Sequence, residues 1–388
     1  LRDHEPLNYE IVGRMPEKDL CLLRVRSPKP FTSITLGRSH DLMTGEPILC
    51  AGNPGGRGIV YSSGIVSSPN FILTAPNALV MRYFSADVRD RYVQFDAASN
   101  QGNSGGPLIN ALGEQVAIVS NKSQDEENIN FAIPIDRVRQ NLDELFAPEV
   151  RKGFSTGLIL APLAAKAEVA QVKKGSPAAK LDLRPGDLIL RVGGKPINQH
   201  LDWLVGLLDH KAGDELKLTV SRDKKMRQII LKLGPYPAPP TAMVKDPKPG
   251  LLFQVCHGRF DSAPNLSEQT LVKKGVAKAL DVLAMGSPKL DDFAIKLEGF
   301  LKIPADGVYR LILNSDDGSV LRIGEQVVVD NDGPHPARDV GRLFRFSKGY
   351  LPIRIDYFEA TGDAELSFFI EDGSGKRSPA APLFFHEG

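Results

Sequence analysis

The stretch Ser99-Asn100-Gln101-Gly102-Asn103-Ser104-Gly105-Gly106-Pro107-Leu108 sets one serine among glycines, just ahead of the apolar run PLIN. A serine that attacks an acyl carbon has to stand on a tight turn whose own amides point at the developing oxyanion. Gly102 and Ser104 are the candidate amide donors, and Gly105 and Gly106 would let a substrate backbone come close. A glycine-rich β-turn is the plain alternative for so short a motif. The flanks favour the chemical reading: YVQFDAA (92–98) leads in, and QVAIVSN (115–121) and INFAIPI (129–135) follow, each with the apolar content of a strand.

Further upstream, YEIVGRM (9–15), DLCLLRV (19–25), PILCAGNP (47–54) and GIVYSSGIVSS (58–68) continue the all-β pattern. Ile135, Val138, Leu142 and Leu145 then recur at helical spacing through IDRVRQNLDELF, and Pro148 ends the segment. A domain boundary is expected near residue 150. A nucleophilic serine needs an imidazole, and the imidazole needs an acidic side chain to orient it. Asp19, at the head of an apolar strand, is the candidate, with a solvated strand-end aspartate as the alternative.

Bulk composition narrows the function classes. At 388 residues, the chain exceeds what one core usually encloses. A formal net charge of +1 with 24% charged residues gives no basic field, so nucleic acid is not an expected partner. Cys21, Cys50 and Cys256 are far apart, which argues against a disulfide framework or a zinc knuckle. No apolar run reaches the roughly 18 residues of a membrane span. The opening LRDHEPLNYEIVG has neither Met nor a signal segment, so the chain is expected to start inside a domain.

After residue 150 the style changes. AEVAQV, SPAAKLD, RPGD, LILRVGGKPI, DWLVGLLDHK and ELKLTVSRDKKMRQIILKL read as a compact mixed module over 151–235, its hairpin turning at Arg222 to Lys225. Residues 236–249 are dense in proline and are expected to be an extended, semi-rigid linker. Beyond them, FAIKLEGFLKI, GVYRLILNS, SVLRIGEQVVVD, YLPIRIDYF and AELSFFIED give a β-sandwich over 250–388.

Residues 10–150 resemble the protease domain of the HtrA/Deg family, trypsin-like double β-barrel enzymes of the bacterial envelope and organelles. The resemblance runs through EIVGRMPEKDLCLLRV, LCAGNPGG, SSGIVSS, DAASNQGNSGGPLIN, GEQVAIVSN and INFAIP. It implies a serine endopeptidase acting on misfolded or unstructured proteins, with Ser104 as nucleophile and Asp19 as its orienting acid. It also implies an oxyanion hole from the Gly102 and Ser104 amides, no catalytic cofactor, a periplasmic, envelope or secreted location, and a homo-oligomer, trimeric in this family. Neutral Asn103 stands where enzymes activated by cleavage carry an aspartate. The specificity pocket would have Ala98 at its base and Ile118, Ser120, Asn130 and Ala132 as walls, favouring small or medium aliphatic side chains.

The family places its histidine roughly thirty residues before the aspartate, and counting back from Asp19 runs off the chain. His4 fits only as a solvated turn residue. Either the barrel is incomplete at its N-terminus or the intact protein is a noncatalytic peptide- and glycan-binding scaffold. The polypeptide as it stands is expected to be inactive.

The mixed module resembles a circularly permuted PDZ domain, best through SPAAKLDLRPGDLILRVGGKPI. That implies capture of peptide C-termini at the loop Ser155, Thr156, Gly157, Leu158, with a structural turn as the alternative. Trp203 and Leu207 fit either a groove or a core. The last segment resembles the protective-antigen-like β-sandwich, in which an acidic pair before a glycine can bind calcium and carbohydrate. Asp316 and Asp317 match that pair, and an Asp-Gly hairpin turn is the alternative.

Overall fold

The alternating runs of the first 134 residues become strands, most of which close on themselves. In the computed structural model, which describes residues 7–28, 30–56, 58–72, 91–122, 128–264, 269–285, 291–362 and 364–388, six strands form a closed barrel. Their spatial order is Pro47–Gly52, Val60–Ile72, Arg91–Phe95, Asn130–Pro134, Gln115–Lys122 and Pro107–Asn110, the last pairing back to the first. Closure leaves no open edge. Val66, Val93, Phe95, Leu108, Ala117 and Ala132 fill the interior without residual exposure.

The strands Tyr9–Met15 and Leu20–Val25 form a separate antiparallel pair around the 3-10 turn Pro16–Lys18. Met15 and Leu20 bury themselves with Ile135, Val138, Leu142 and Leu145 of the helix Ile135–Phe146. The helical spacing read from the sequence is therefore the buried face of this helix. Gly13 is required at the crossing, because a Cβ there would lie 1.9 Å from the Leu145 carbonyl oxygen.

The module that follows shares this core. Its four-stranded sheet ends in the hairpin Glu215–Arg222 and Lys225–Lys232, turned by Asp223 and Lys224 at positive φ. The helix expected at DWLVGLLDHK starts earlier, at His200, and ends at Leu207. Asp202 Oδ2 accepts the Asn198 and Gln199 amides and fixes that start. The proline-rich stretch is pinned at both ends: Gly234–Pro235 pairs with Phe154–Ser155, and Pro247–Pro249 with Phe384–Glu387.

The last part is a sandwich of an eight-stranded and a four-stranded sheet. The strands read from the sequence are present, and Leu251–His257, Leu271–Ala277 and Arg338–Phe346 join them. The fold is mainly β throughout. All three cysteines are free thiols. Among the described residues, no helix is long and apolar enough to cross a membrane.

Candidate active site

The serine loop lies hard against the end of the strand Pro47–Gly52. A Cβ on Gly106 would sit 2.1 Å from the Ala51 carbonyl oxygen, and one on Gly102, at φ +107°, 2.6 Å from that of Asn53. These two glycines allow the close approach. The Asn53 amide donates to the Gly102 carbonyl (3.0 Å), and the Gly105 amide to Val119 (2.7 Å). Asn103 is buried beneath the loop, its backbone bonded to Asn100 and Gly106. Ser104 is left exposed at the tip.

Ser104 and Asp19 meet at one residue. The Ser104 hydroxyl donates to the carbonyl of Ser120 (2.8 Å), and the Ser120 hydroxyl donates to Asp19 Oδ2 (2.6 Å). Ser120 can serve both because the pairing with Asn130–Pro134 shifts register between Val119 and Asn121. Such a bulge re-aims a residue out of the ladder. Asp19 closes the turn Pro16–Lys18 at φ 53°, its amide bonded to the Pro16 carbonyl (3.0 Å). It is exposed, where a buried position was expected of an orienting acid. A carbonyl cannot take the Ser104 proton, so this arrangement holds the nucleophile without activating it.

The described histidines lie elsewhere. His40 faces Asp136, His200 faces Asp143 and His210 faces Asp214. His257, His335 and His386 belong to the sandwich strands and loops. His4 is outside the described residues.

The expected specificity residues divide. Ala98 is exposed, its carbonyl accepting the Ser62 hydroxyl (2.6 Å). Asn130 is buried below it and donates to the carbonyls of Ala97 (3.0 Å) and Phe95 (3.3 Å), holding the segment that leads to Ala98. Ser120 is committed to Asp19. Ala132 is wholly inside the barrel, and Ile118 packs against the helix cluster, so neither stands as a pocket wall.

The turn bearing Asp19 is held from behind by the sandwich. Arg310, with 5% of its surface exposed, donates to the carbonyls of Arg14 (3.2 Å) and Gly341 (3.1 Å) and pairs closely with Glu17. Glu144 is 3.7 Å away. Burial pushes the Glu17 and Glu144 carboxyls up, and Arg310 opposes it. Replacing Arg310 by Met strands these carboxylates and is expected to cost about 3–5 kcal/mol. Urea unfolding of the whole chain reads it, with Glu17→Gln in the same background restoring part. A cost below about 1 kcal/mol would show that the pair contributes little.

In the PDZ-like module, the loop Ser155, Thr156, Gly157, Leu158 is almost entirely buried. Two of its amides are taken: Thr156 donates to Glu149 Oε1 (3.0 Å) and Leu158 to Thr156 Oγ1 (3.1 Å). Trp203 and Leu207 are buried in the core and also border the cavity beside this loop.

In the sandwich, Asp316 and Asp317 gather with Glu359, their oxygens within 4.8 Å of one another. Asp317 also ties loops together, accepting the amides of His335 (3.2 Å), Ala360 (2.7 Å) and Thr361 (3.3 Å). The turn Asp330–Asp332 lies at the same end: a Cβ on Gly318 would lie 2.8 Å from Asp332 Oδ1. The third carboxylate, however, is Glu359, which nothing in its strand-end sequence marked. Glu359 is wholly buried, accepts the Tyr357 hydroxyl (2.5 Å) on one oxygen and has no partner on the other. Burial, then Asp317 and Asp316, push its carboxyl up to about 8.

Comparison with known proteins agrees with this architecture. Residues 1–118 match the trypsin-like peptidase domain, 145–233 the PDZ domain and 282–378 the PA14 domain. A closed barrel that carries Ser104, followed by PDZ and PA14 domains, has a trypsin-like peptidase architecture. The order of the first two domains is that of the HtrA-type proteases, which the chain resembles over these parts. A putative serine protease HhoB of Synechocystis sp. is 30% identical over 257 residues, 61% of this chain and 60% of that protein. A probable periplasmic serine endoprotease DegP-like of Pseudomonas putida is 35% identical over 255 residues, 61% of this chain and 50% of that one. The chain thus spans between half and three fifths of these relatives. The solved HtrA-type protease AlgW with decapeptide is 27% identical, covering 62% of this chain and 75% of its own, with a TM-score of 0.33.

Proposed function

We propose that the intact protein is a serine endopeptidase of HtrA type that cleaves unfolded or misfolded proteins in the bacterial envelope. The carrying observation is the convergence of Ser104 and Asp19 on Ser120. An imidazole from outside the described residues would complete the set, lifting the Ser104 proton while Asp19 holds its other nitrogen. The Gly102 and Ser104 amides would receive the oxyanion, and Ala98 would floor a pocket for small aliphatic side chains.

A second observation supports further strands beside the hairpin. Tyr9 opposes Val25 and Ile11 opposes Leu23, and all four side chains are exposed as an apolar stripe. Boundaries near 150, 235 and 250 separate the peptidase part, the PDZ domain, the pinned linker and the PA14 domain. Capture of peptides by the PDZ domain, carbohydrate binding by the PA14 domain and assembly into a homotrimer complete the proposal. A chain extended upstream should react with a fluorophosphonate at Ser104, and an extended chain with no histidine and no labelling would end the proposal.

A calcium ion fits Asp316, Asp317 and Glu359, because oxygen ligands suit it and Glu359 has an oxygen to offer. Without an ion, Glu359 is held protonated by the fold. Its raised pKa means a stabilising contribution that is full below about pH 4.5 and lost as pH rises through about 8. Glu359→Gln is therefore expected to melt higher than the parent at pH 8 in chelator, with the gap closing towards pH 5. Millimolar calcium should raise the parent's melting temperature at pH 8 and that of the variant less. Melts that coincide under all conditions would leave only a structural turn.

A further inference from the structure

A PDZ domain seats a peptide's terminal carboxylate on loop amides and adds the peptide as a strand along a sheet edge. The second half of that device is built here. Among the described residues, the strand Leu158–Leu160 pairs with Val169–Val172 alone. It borders a cavity of about 510 Å³ with Leu158 and Ile159 on one side and Trp203 and Leu207 on the other.

The first half is already filled. Glu149 Oε1 accepts the Thr156 amide at 3.0 Å and also pairs closely with the Thr156 hydroxyl, while the Leu158 amide turns onto Thr156 Oγ1 at 3.1 Å. Glu149 itself borders the cavity. It projects from the turn Pro148–Lys152, bracketed by Ala147 and Gly153 at positive φ. The PA14 domain clamps this turn: Arg345 donates to the carbonyls of Val150 (2.8 Å) and Arg151 (2.7 Å). Gln326, Val327 and Phe344 of the same domain also border the cavity.

We propose that this groove is self-occupied: the Glu149 carboxylate stands in for a ligand's terminal carboxylate, and apolar C-terminal peptides bind only when Glu149 leaves. Two carboxylates in one seat repel, so the two compete. Because Arg345 holds the turn that carries Glu149, the PA14 domain governs access to the groove. This rests on the reading of the groove as a peptide site.

The test uses the whole chain and a fluorescein-labelled peptide of about ten residues ending in three apolar residues, as free acid and as C-terminal amide, followed by anisotropy. The parent should bind both weakly and within about threefold of each other. Glu149→Ala should tighten the acid at least tenfold and leave the amide unchanged. Glu149→Gln, which keeps an acceptor for Thr156, and Arg345→Ala, which leaves Glu149 in place but frees its turn, should each give a smaller gain for the acid. A parent that already prefers the acid tenfold, or a Glu149→Ala chain that binds acid and amide alike, overturns self-occupation while leaving peptide capture intact. No binding of either peptide to any of the four chains would overturn peptide capture itself, and the inference with it.

Discussion

Ser104→Ala, made in a chain that carries its imidazole, is expected to lower turnover of an unfolded substrate such as casein by about 10⁶-fold. The size follows from what the serine does. In the proposed mechanism its Oγ forms the acyl bond, so removing it would leave only the oxyanion amides and substrate binding. The substitution should spare the fold, because the Ser104 side chain is exposed and makes one hydrogen bond, to a carbonyl that can turn to water instead. Intact circular dichroism with lost casein cleavage and lost fluorophosphonate labelling is the expected set. Equal cleavage by both chains would remove Ser104 from the mechanism.

The sequence made the serine legible because its needs are local. A tight approach to the neighbouring strand demands glycine at 102 and 106, and an amphipathic helix must show apolar residues at its own period, as Ile135, Val138, Leu142 and Leu145 do. Asp19 was legible as a candidate acid for a related reason, since it heads a strand that its apolar run announces. What stayed hidden depended on distance along the chain. Ser120 acquires its bridging role from a register shift against the strand Asn130–Pro134, and that shift is encoded by no run of residues. Glu149 reads as an ordinary charge on a short turn until folding sets it against Thr156. Glu359 and Arg310 pass for strand polar residues, and only the packed sandwich shows one stranded beside two aspartates and the other holding the turn behind Asp19.

Asp19→Asn should then give the second large loss, about 10⁴-fold in turnover with the fold retained. The argument turns on Ser120. Its hydroxyl donates to Asp19 Oδ2, so one oxygen of that carboxylate is spoken for and the other is left to receive an imidazole N–H. Asparagine would keep its carbonyl oxygen towards the Ser120 hydroxyl and present its NH₂ group where an acceptor is needed. The imidazole would then be held in the tautomer that cannot take the Ser104 proton. Ser120→Ala separates the two functions of the bridge: it deletes the hydroxyl that orients Asp19 while keeping the carbonyl that contacts Ser104. Its loss should be far smaller and fall on kcat rather than KM. A loss below about tenfold for Asp19→Asn, or one matched by Ser120→Ala, would mean that another residue orients the base.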